Sequence, residues 1–172
     1  MIFTDYFLEI IMDNKNSNYL HSELSEQIIK CFYKVYNVLG YGFLEKVYQK
    51  ALEIELSKNK LDFNSQYPIK VYYDNKIVGE YYADLFIENK IIVELKASLS
   101  LVKENEFQLL NYLKSTNIEV GLLLNFGNEP EVKRKVFTND QKSFICDWTL
   151  SVQIILKSVL SVCVFTKHNF NF

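Results

Sequence analysis

Proline and glycine are scarce, two and five among 172 residues, which leaves no room for long flexible linkers and fits one folded domain around one core. Positive charge is not in excess. The formal net charge is −2 and Arg134 is the only arginine, so no general basic field draws in nucleic acid, and any contact with it must be local. Cysteine is sparse as well: Cys31, Cys146 and Cys163 form no Cys-x-x-Cys pair and have no nearby histidine to complete a zinc site. They read as reduced thiols of a cytoplasmic protein, with Cys31 packed as a small hydrophobe on a helix stripe. No basic region precedes the apolar first residues, which Asp5 and Glu9 interrupt, so a signal peptide is not expected. The stretch 148–165 approaches membrane-span length, but Lys157 near its centre would cost about 3 kcal/mol on insertion scales. Gln153 and three serines weaken a span further.

What is present is the balance of a globular chain, 49% hydrophobic and 23% charged. From Ser22, a plausible N-cap, Leu24, Ile28, Cys31, Phe32, Val35, Val38 and Leu39 recur at helical spacing until Gly40 ends the helix. After Tyr41-Gly42 a second helix runs to about Asn59 with Leu44, Tyr48, Ala51, Leu52 and Leu56 on one side. Aromatic and β-branched residues then mark strands over Tyr67 to Tyr73, Ile77 to Ile87 and Ile91 to Leu95, separated by the turns Asp74-Asn75-Lys76 and Glu88-Asn89-Lys90. A third helix, about Val102 to Ser115, is expected to bury Phe107, Leu110 and Leu113, and Val120 to Phe126 reads as a strand buried on both faces. The expected order is ααβββαβ. A helix between two strands implies a parallel crossover, so the fold is α/β with a mixed four-stranded sheet flanked by helices.

The chemistry concentrates in the second hairpin. With Glu88, Asn89 and Lys90 as a three-residue loop, residue 84 pairs with residue 94. This register gathers Ala83, Leu85, Ile87, Ile91, Val93 and Leu95 on one apolar face, whereas a one-residue slip would mix charges into it. Asp84, Glu94 and Lys96 then share the other face. Cβ atoms of opposed residues are about 5 Å apart, near enough for two carboxylates to hold one divalent cation. Mg2+ or Mn2+ suits such a site, with Lys96 placed to orient water or stabilise charge on a phosphate. Glu45 continues the apolar line of Tyr48, Leu52 and Leu56, where a carboxylate is costly unless it meets a cation or donors. Gln108 and Tyr112, four apart on the third helix, present polar tips near the end of the Glu94 strand. Lys133, Arg134 and Lys135 are a candidate phosphate contact, although short charge runs usually form a solvated face.

Gly42-Phe43-Leu44-Glu45-Lys46-Val47-Tyr48 resembles the Gly-x-x-Glu-x-x-Tyr signature of the family named for it, a small-protein branch of the PD-(D/E)XK nuclease superfamily. Ala83-Asp84, Val93-Glu94-Leu95-Lys96-Ala97 and Gln108-Leu109-Leu110-Asn111-Tyr112 resemble its other motifs, with Ala83 where the superfamily name places proline. The resemblance spans roughly residues 18 to 140, flanked by an N-terminal extension over 1–17 and a tail over 141–172 that it does not cover. It implies a restriction-endonuclease-like fold with Glu45, Asp84, Glu94 and Lys96 as the active-site set and Gln108 and Tyr112 supporting. The function expected is metal-dependent cleavage of phosphodiesters, in DNA ahead of RNA. The alternative is an inactive module that keeps the fold and binds nucleic acid or a protein. A homo-oligomer or a protein partner engaged through the C-terminal tail is also open.

Overall fold

A computed structural model describes residues 20–142. The extension over 1–17, Cys146, Cys163, the apolar stretch 148–165 and the tail beyond residue 142 lie outside the described residues. Helix α1 spans Ser22–Leu39 and α2 Glu45–Lys58; strands β1 (Phe63–Tyr73), β2 (Lys76–Ile87) and β3 (Ile91–Lys96) follow, then α3 (Lys103–Lys114), β4 (Val120–Phe126) and β5 (Pro130–Val136). Ser22 opens α1 rather than capping it: His21 takes the cap position at φ 57, and its carbonyl accepts from both the backbone N and Oγ of Ser25 at 2.9 Å.

The sheet order is β1-β2-β3-β4-β5. Only β3 and β4 run parallel, joined by the α3 crossover, and the other neighbours are antiparallel. The sheet therefore has five strands where four were expected. The missed strand, β5, lies at an edge and is half-exposed along most of its length. Its Glu131, Lys133, Arg134 and Lys135 hide the apolar alternation by which a strand is recognised. By contrast β4 is buried throughout, as its unbroken apolar run requires.

Helices α1 and α2 pack Ile28, Cys31, Phe32, Val35, Tyr48, Leu52 and Leu56 against one face of the sheet, where they meet Leu85, Ile87, Ile91, Val93 and Leu95. Cys31 is buried there as a free thiol, as expected. Helix α3 covers the opposite face with Leu109, Tyr112 and Leu113 over Phe86, Ile92 and Leu123. Phe107, expected in the core, is 58% exposed and Leu109 takes its place, because the helix is rotated about its axis relative to the phase that Phe107 suggested. Among the described residues no helix is long and apolar enough to cross a membrane.

Ala83 also departs from expectation. It packs with Phe86 in the α3 cluster rather than with Leu85 and Ile87, so strict alternation breaks at Asp84 between them. The partner strand breaks at the matching place: Phe63 lies against the α1/α2 cluster, Tyr67 and Ile69 against the α3 cluster, and Gln66 between them adopts φ 52. The β1/β2 ribbon thus turns over at the Gln66/Asp84 level.

Gly127, after β4, sits against the β3–α3 loop. A Cβ there would come 2.3 Å from the Ser98 carbonyl oxygen and 2.9 Å from Asn125 Nδ2. Backbone cannot yield as a flexible side-chain tip can, so Gly127→Ala is expected to destabilise the fold by at least roughly 1–3 kcal/mol. A lowered urea midpoint at unchanged slope would register it, and an unchanged midpoint would refute the contact.

Candidate functional site

The β2–β3 loop holds both Glu88 (φ 51) and Asn89 (φ 54) in the left-handed region, and the ladder reads Ile87↔Ile91, Phe86↔Ile92, Leu85↔Val93. This is the expected register; continued by one pair, it sets Asp84 opposite Glu94. At that level Asp84 Oδ2 accepts the Leu95 backbone N–H at 2.8 Å, so a carboxylate takes over where the strands fork. Among the described residues its second oxygen, Oδ1, has only a long contact of 3.4 Å from Gln66 Nε2. Burial, only partly offset by the Leu95 N–H, pushes the Asp84 carboxyl up.

Glu94 is 3% exposed. Its Oε1 accepts from Lys96 Nζ at 2.8 Å and from Gln108 Nε2 at 2.7 Å, and Gln108 Nε2 also reaches Tyr112 Oη at 2.6 Å. Its Oε2 is buried without a hydrogen-bond partner among the described residues. Burial, and then repulsion by Asp84, push the Glu94 carboxyl up to about 7. Burial pulls the Lys96 ammonium down, but the Glu94 hydrogen bond and the charges of Glu94, Glu45 and Asp84 outweigh it and hold the group above the usual lysine range.

A folded-state value of about 7 against an ordinary 4.5 means that the folded protein binds this proton more tightly than the unfolded chain does. The stability it contributes is complete below about pH 4.5 and is lost as pH rises through about 7. At about 1.4 kcal/mol per unit, the ionised carboxylate costs on the order of 3 kcal/mol above pH 8. Glu94→Gln removes that charge but leaves an amide N–H2 near the site of Oε2, so a net gain of roughly 1–3 kcal/mol is expected at pH 8 and none at pH 4. Thermal melts across this range check it; a gain independent of pH would assign the effect to something other than Glu94 ionisation.

Glu45 is the first residue of α2 and is exposed. The expectation of a carboxylate buried on the helix stripe is corrected here: the stripe sinks into the core only from Tyr48 onward, one turn later. Glu45 nevertheless stays at the site, since its charge is felt by both Glu94 and Lys96. The loop that delivers it depends on two residues of the Gly-x-x-Glu-x-x-Tyr string. Gly42 adopts φ 108, a conformation L side chains rarely take. Tyr48 stacks on Phe126 with ring centroids 4.2 Å apart, while its hydroxyl donates to Gly40 O at 2.9 Å and accepts from Phe43 N at 3.2 Å. One buried ring thereby ties the loop to the core.

Asp84, Glu94, Lys96, Gln108 and Tyr112 thus converge at the fork between β2 and β3, with Glu45 at its rim. Among the described residues no group of three His, Cys, Asp or Glu side chains is placed to hold a metal ion; Asp84 and Glu94 stand as a pair, with Glu45 at the rim. Lys133, Arg134 and Lys135 do not join them, nor do they form one patch. Arg134 pairs with Leu122 on the α1/α2 side and Lys133 with Leu123 on the α3 side. Arg134 donates to Leu20 O at 2.6 Å and Lys135 is ion-paired with Glu106.

Three residues beside the site carried no legible signal. Buried Gln49 donates to Asp84 O at 3.4 Å and Glu53 Oε1 at 3.1 Å. Gln66 reaches Asp84 from its left-handed position. Asn125, opposite Lys96 and fully buried, accepts from Ser98 N and donates to Ser98 O, both at 3.0 Å, pinning the loop that follows Lys96. Amides are poor sequence markers because they serve surfaces and cores alike. Asp84, Gln49 and Gln66 line an open cleft of about 520 Å3 together with Phe43, Leu44, Glu45, Lys46 and Ala97.

No curated protein and no solved structure gives a significant match to the chain. A family model described as the PD-(D/E)XK nuclease superfamily matches residues 22–136, from the start of α1 to the end of β5. The mixed sheet between two helical layers is consistent with the restriction-endonuclease-like fold of that superfamily. By this match, which covers more than half of its residues, the chain belongs to the PD-(D/E)XK nuclease superfamily.

Proposed function

We propose that the protein is a divalent-metal-dependent nuclease that hydrolyses phosphodiesters in DNA or RNA, of the branch marked by Gly42, Glu45 and Tyr48. The observation that carries this reading is Glu94 Oε2, a buried carboxylate oxygen with no hydrogen-bond partner among the described residues, beside a second carboxylate that repels it. A bare oxygen of this kind costs free energy unless a cation meets it. Asp84 Oδ1, held only by the long Gln66 contact, is the complementary donor. Two carboxylates with waters and substrate phosphate are a usual ligand set for Mg2+.

When bound, such an ion supplies a more acidic water and neutralises charge on the phosphate. Lys96 acts as a charge donor, because its ammonium is held above the usual lysine range and gives up no proton near neutrality. It orients the attacking water or stabilises the phosphate oxygens as negative charge builds. Gln108 fixes the Glu94 carboxylate through its 2.7 Å bond, with Tyr112 behind it. Glu45 at the rim adds negative charge that favours cation entry and holds Lys96 protonated.

The direct experiment is titration with Mg2+ and Mn2+ during cleavage of labelled single- and double-stranded DNA and RNA. Millimolar metal is expected to raise the melting temperature, as a ligand of the native state must, and to switch on cleavage. No thermal shift with either ion would reject the site.

A further inference from the structure

The cleft on the α2 side of Asp84, about 520 Å3, exceeds what an ion and its waters fill and falls in the size range of organic ligand sites, about 300–1,000 Å3. Its walls carry three kinds of chemistry. Phe43 is 48% exposed and is fixed from behind by its edge contact with Tyr48, ring centroids 6.1 Å apart. Gln49 is buried and lines the cleft, and its bonds to Glu53 Oε1 and Asp84 O are both made through Nε2. Gln66 is held at φ 52, unusual for a residue with a long side chain, and its only side-chain bond among the described residues is the 3.4 Å contact to Asp84. The turnover of the β1/β2 ribbon at this level is what holds the Gln66 side chain beside Asp84 at the cleft. Lys46 adds one positive charge, felt at Asp84.

An aromatic face, two underused amides and an ammonium are the complement of a nucleotide: a flat ring, a hydrogen-bonding edge and a phosphate. A paired base within a duplex cannot present its ring and edge to a cleft, whereas an unpaired one can. We propose that this cleft is a nucleoside subsite receiving one unpaired base of a single-stranded nucleic acid beside Asp84. Phe43 stacks on the base, Gln49 and Gln66 meet its edge, and Lys46 meets the adjoining phosphate. The proposal rests on the nuclease reading for its biological setting, but not for its test.

Adenosine and deoxyadenosine are uncharged and need no metal to approach the carboxylates. Titrated into the isotopically labelled full chain without metal, they are expected to cause saturable NMR shifts at the Phe43 ring and the Gln49 and Gln66 side-chain amides. A difference between the two nucleosides reports on the ribose hydroxyl. Phe43→Leu keeps apolar bulk and removes stacking, and should weaken binding roughly tenfold; Gln66→Ala, at an exposed position, should weaken it with the rest of the spectrum unchanged. In the presence of Mg2+, single strands should be cleaved at least about tenfold faster than duplex, and Phe43→Leu should reduce that preference. Binding at the cleft without any cleavage upholds the subsite and rejects the nuclease. Cleavage that ignores strandedness and Phe43→Leu, or nucleoside shifts that fail to saturate at the cleft, overturns the subsite and leaves the nuclease standing.

Discussion

Asp84→Asn is expected to abolish the metal-induced rise in melting temperature and to lower metal-dependent cleavage by roughly three orders of magnitude or more. That loss corresponds to about 4 kcal/mol of transition-state stabilisation, within what a lost metal ligand removes. The fold should survive. The asparagine carbonyl can keep the 2.8 Å bond from Leu95 N, which places its amide N–H2 against the Gln66 donor, and Gln66 is exposed and free to turn away. Loss of one of two repelling charges offsets that mismatch. It also makes a second prediction within the same variant: the Glu94 carboxyl should titrate below its value of about 7, since Asp84 is the main charge raising it. Carbon-13 NMR of the Glu94 carboxyl reads this without any assay of activity. A variant that keeps its metal response and cleaves within tenfold of the native protein would remove Asp84 from the site.

Much of this site was legible because it lies on elements whose periodicity is strong. Leu85, Ile87, Ile91, Val93 and Leu95 fix the β2–β3 register by burial alone, and the carboxylates follow from it. Glu94 and Lys96 share a side of β3 by spacing, as Gln108 and Tyr112 share a side of α3, and hydrogen bonds join both pairs. The residues that escaped lie where periodicity fails. The turnover at Gln66 and Asp84 moves Ala83 to the opposite face, and glutamine is not a residue type that announces a positive φ. Strand β5 escaped because an edge strand half-covered by neighbours needs no apolar alternation. Arg134 could not be separated from Lys133 and Lys135 until β5 was known to be a strand, since only strand alternation sends neighbours to opposite faces. Glu45 was expected at the site for the wrong reason. It reaches the rim as the exposed first residue of α2, delivered by Gly42 and Tyr48, and not as a buried carboxylate seeking a cation.

Lys96→Ala separates the catalytic arrangement from metal binding. Lys96 Nζ donates to Glu94 Oε1, the oxygen that also takes Gln108, and leaves Oε2 bare. On the proposed mechanism the lysine and an incoming ion would therefore use different oxygens of the same carboxylate. Removing the ammonium has two opposing effects on metal affinity: one positive charge fewer repels the ion, while Glu94 loses the contacts that hold its carboxyl down and is protonated more readily. Once pH is raised far enough to ionise Glu94 in the variant the second effect fades, and the metal-induced thermal shift should persist. Cleavage should not. Loss of one preorganised donor at the reacting phosphate typically costs about 10²–10³-fold in rate, and Lys96→Arg should recover only part of it, because a planar guanidinium cannot reproduce a compact ammonium bound to one carboxylate oxygen. The comparison must be made in single turnover at saturating metal, so that the chemical step is what is read. If Lys96→Ala cleaves within threefold of the native protein under those conditions, the ammonium serves only to neutralise Glu94, and the stabilisation of the phosphate must come from another group at the cleft.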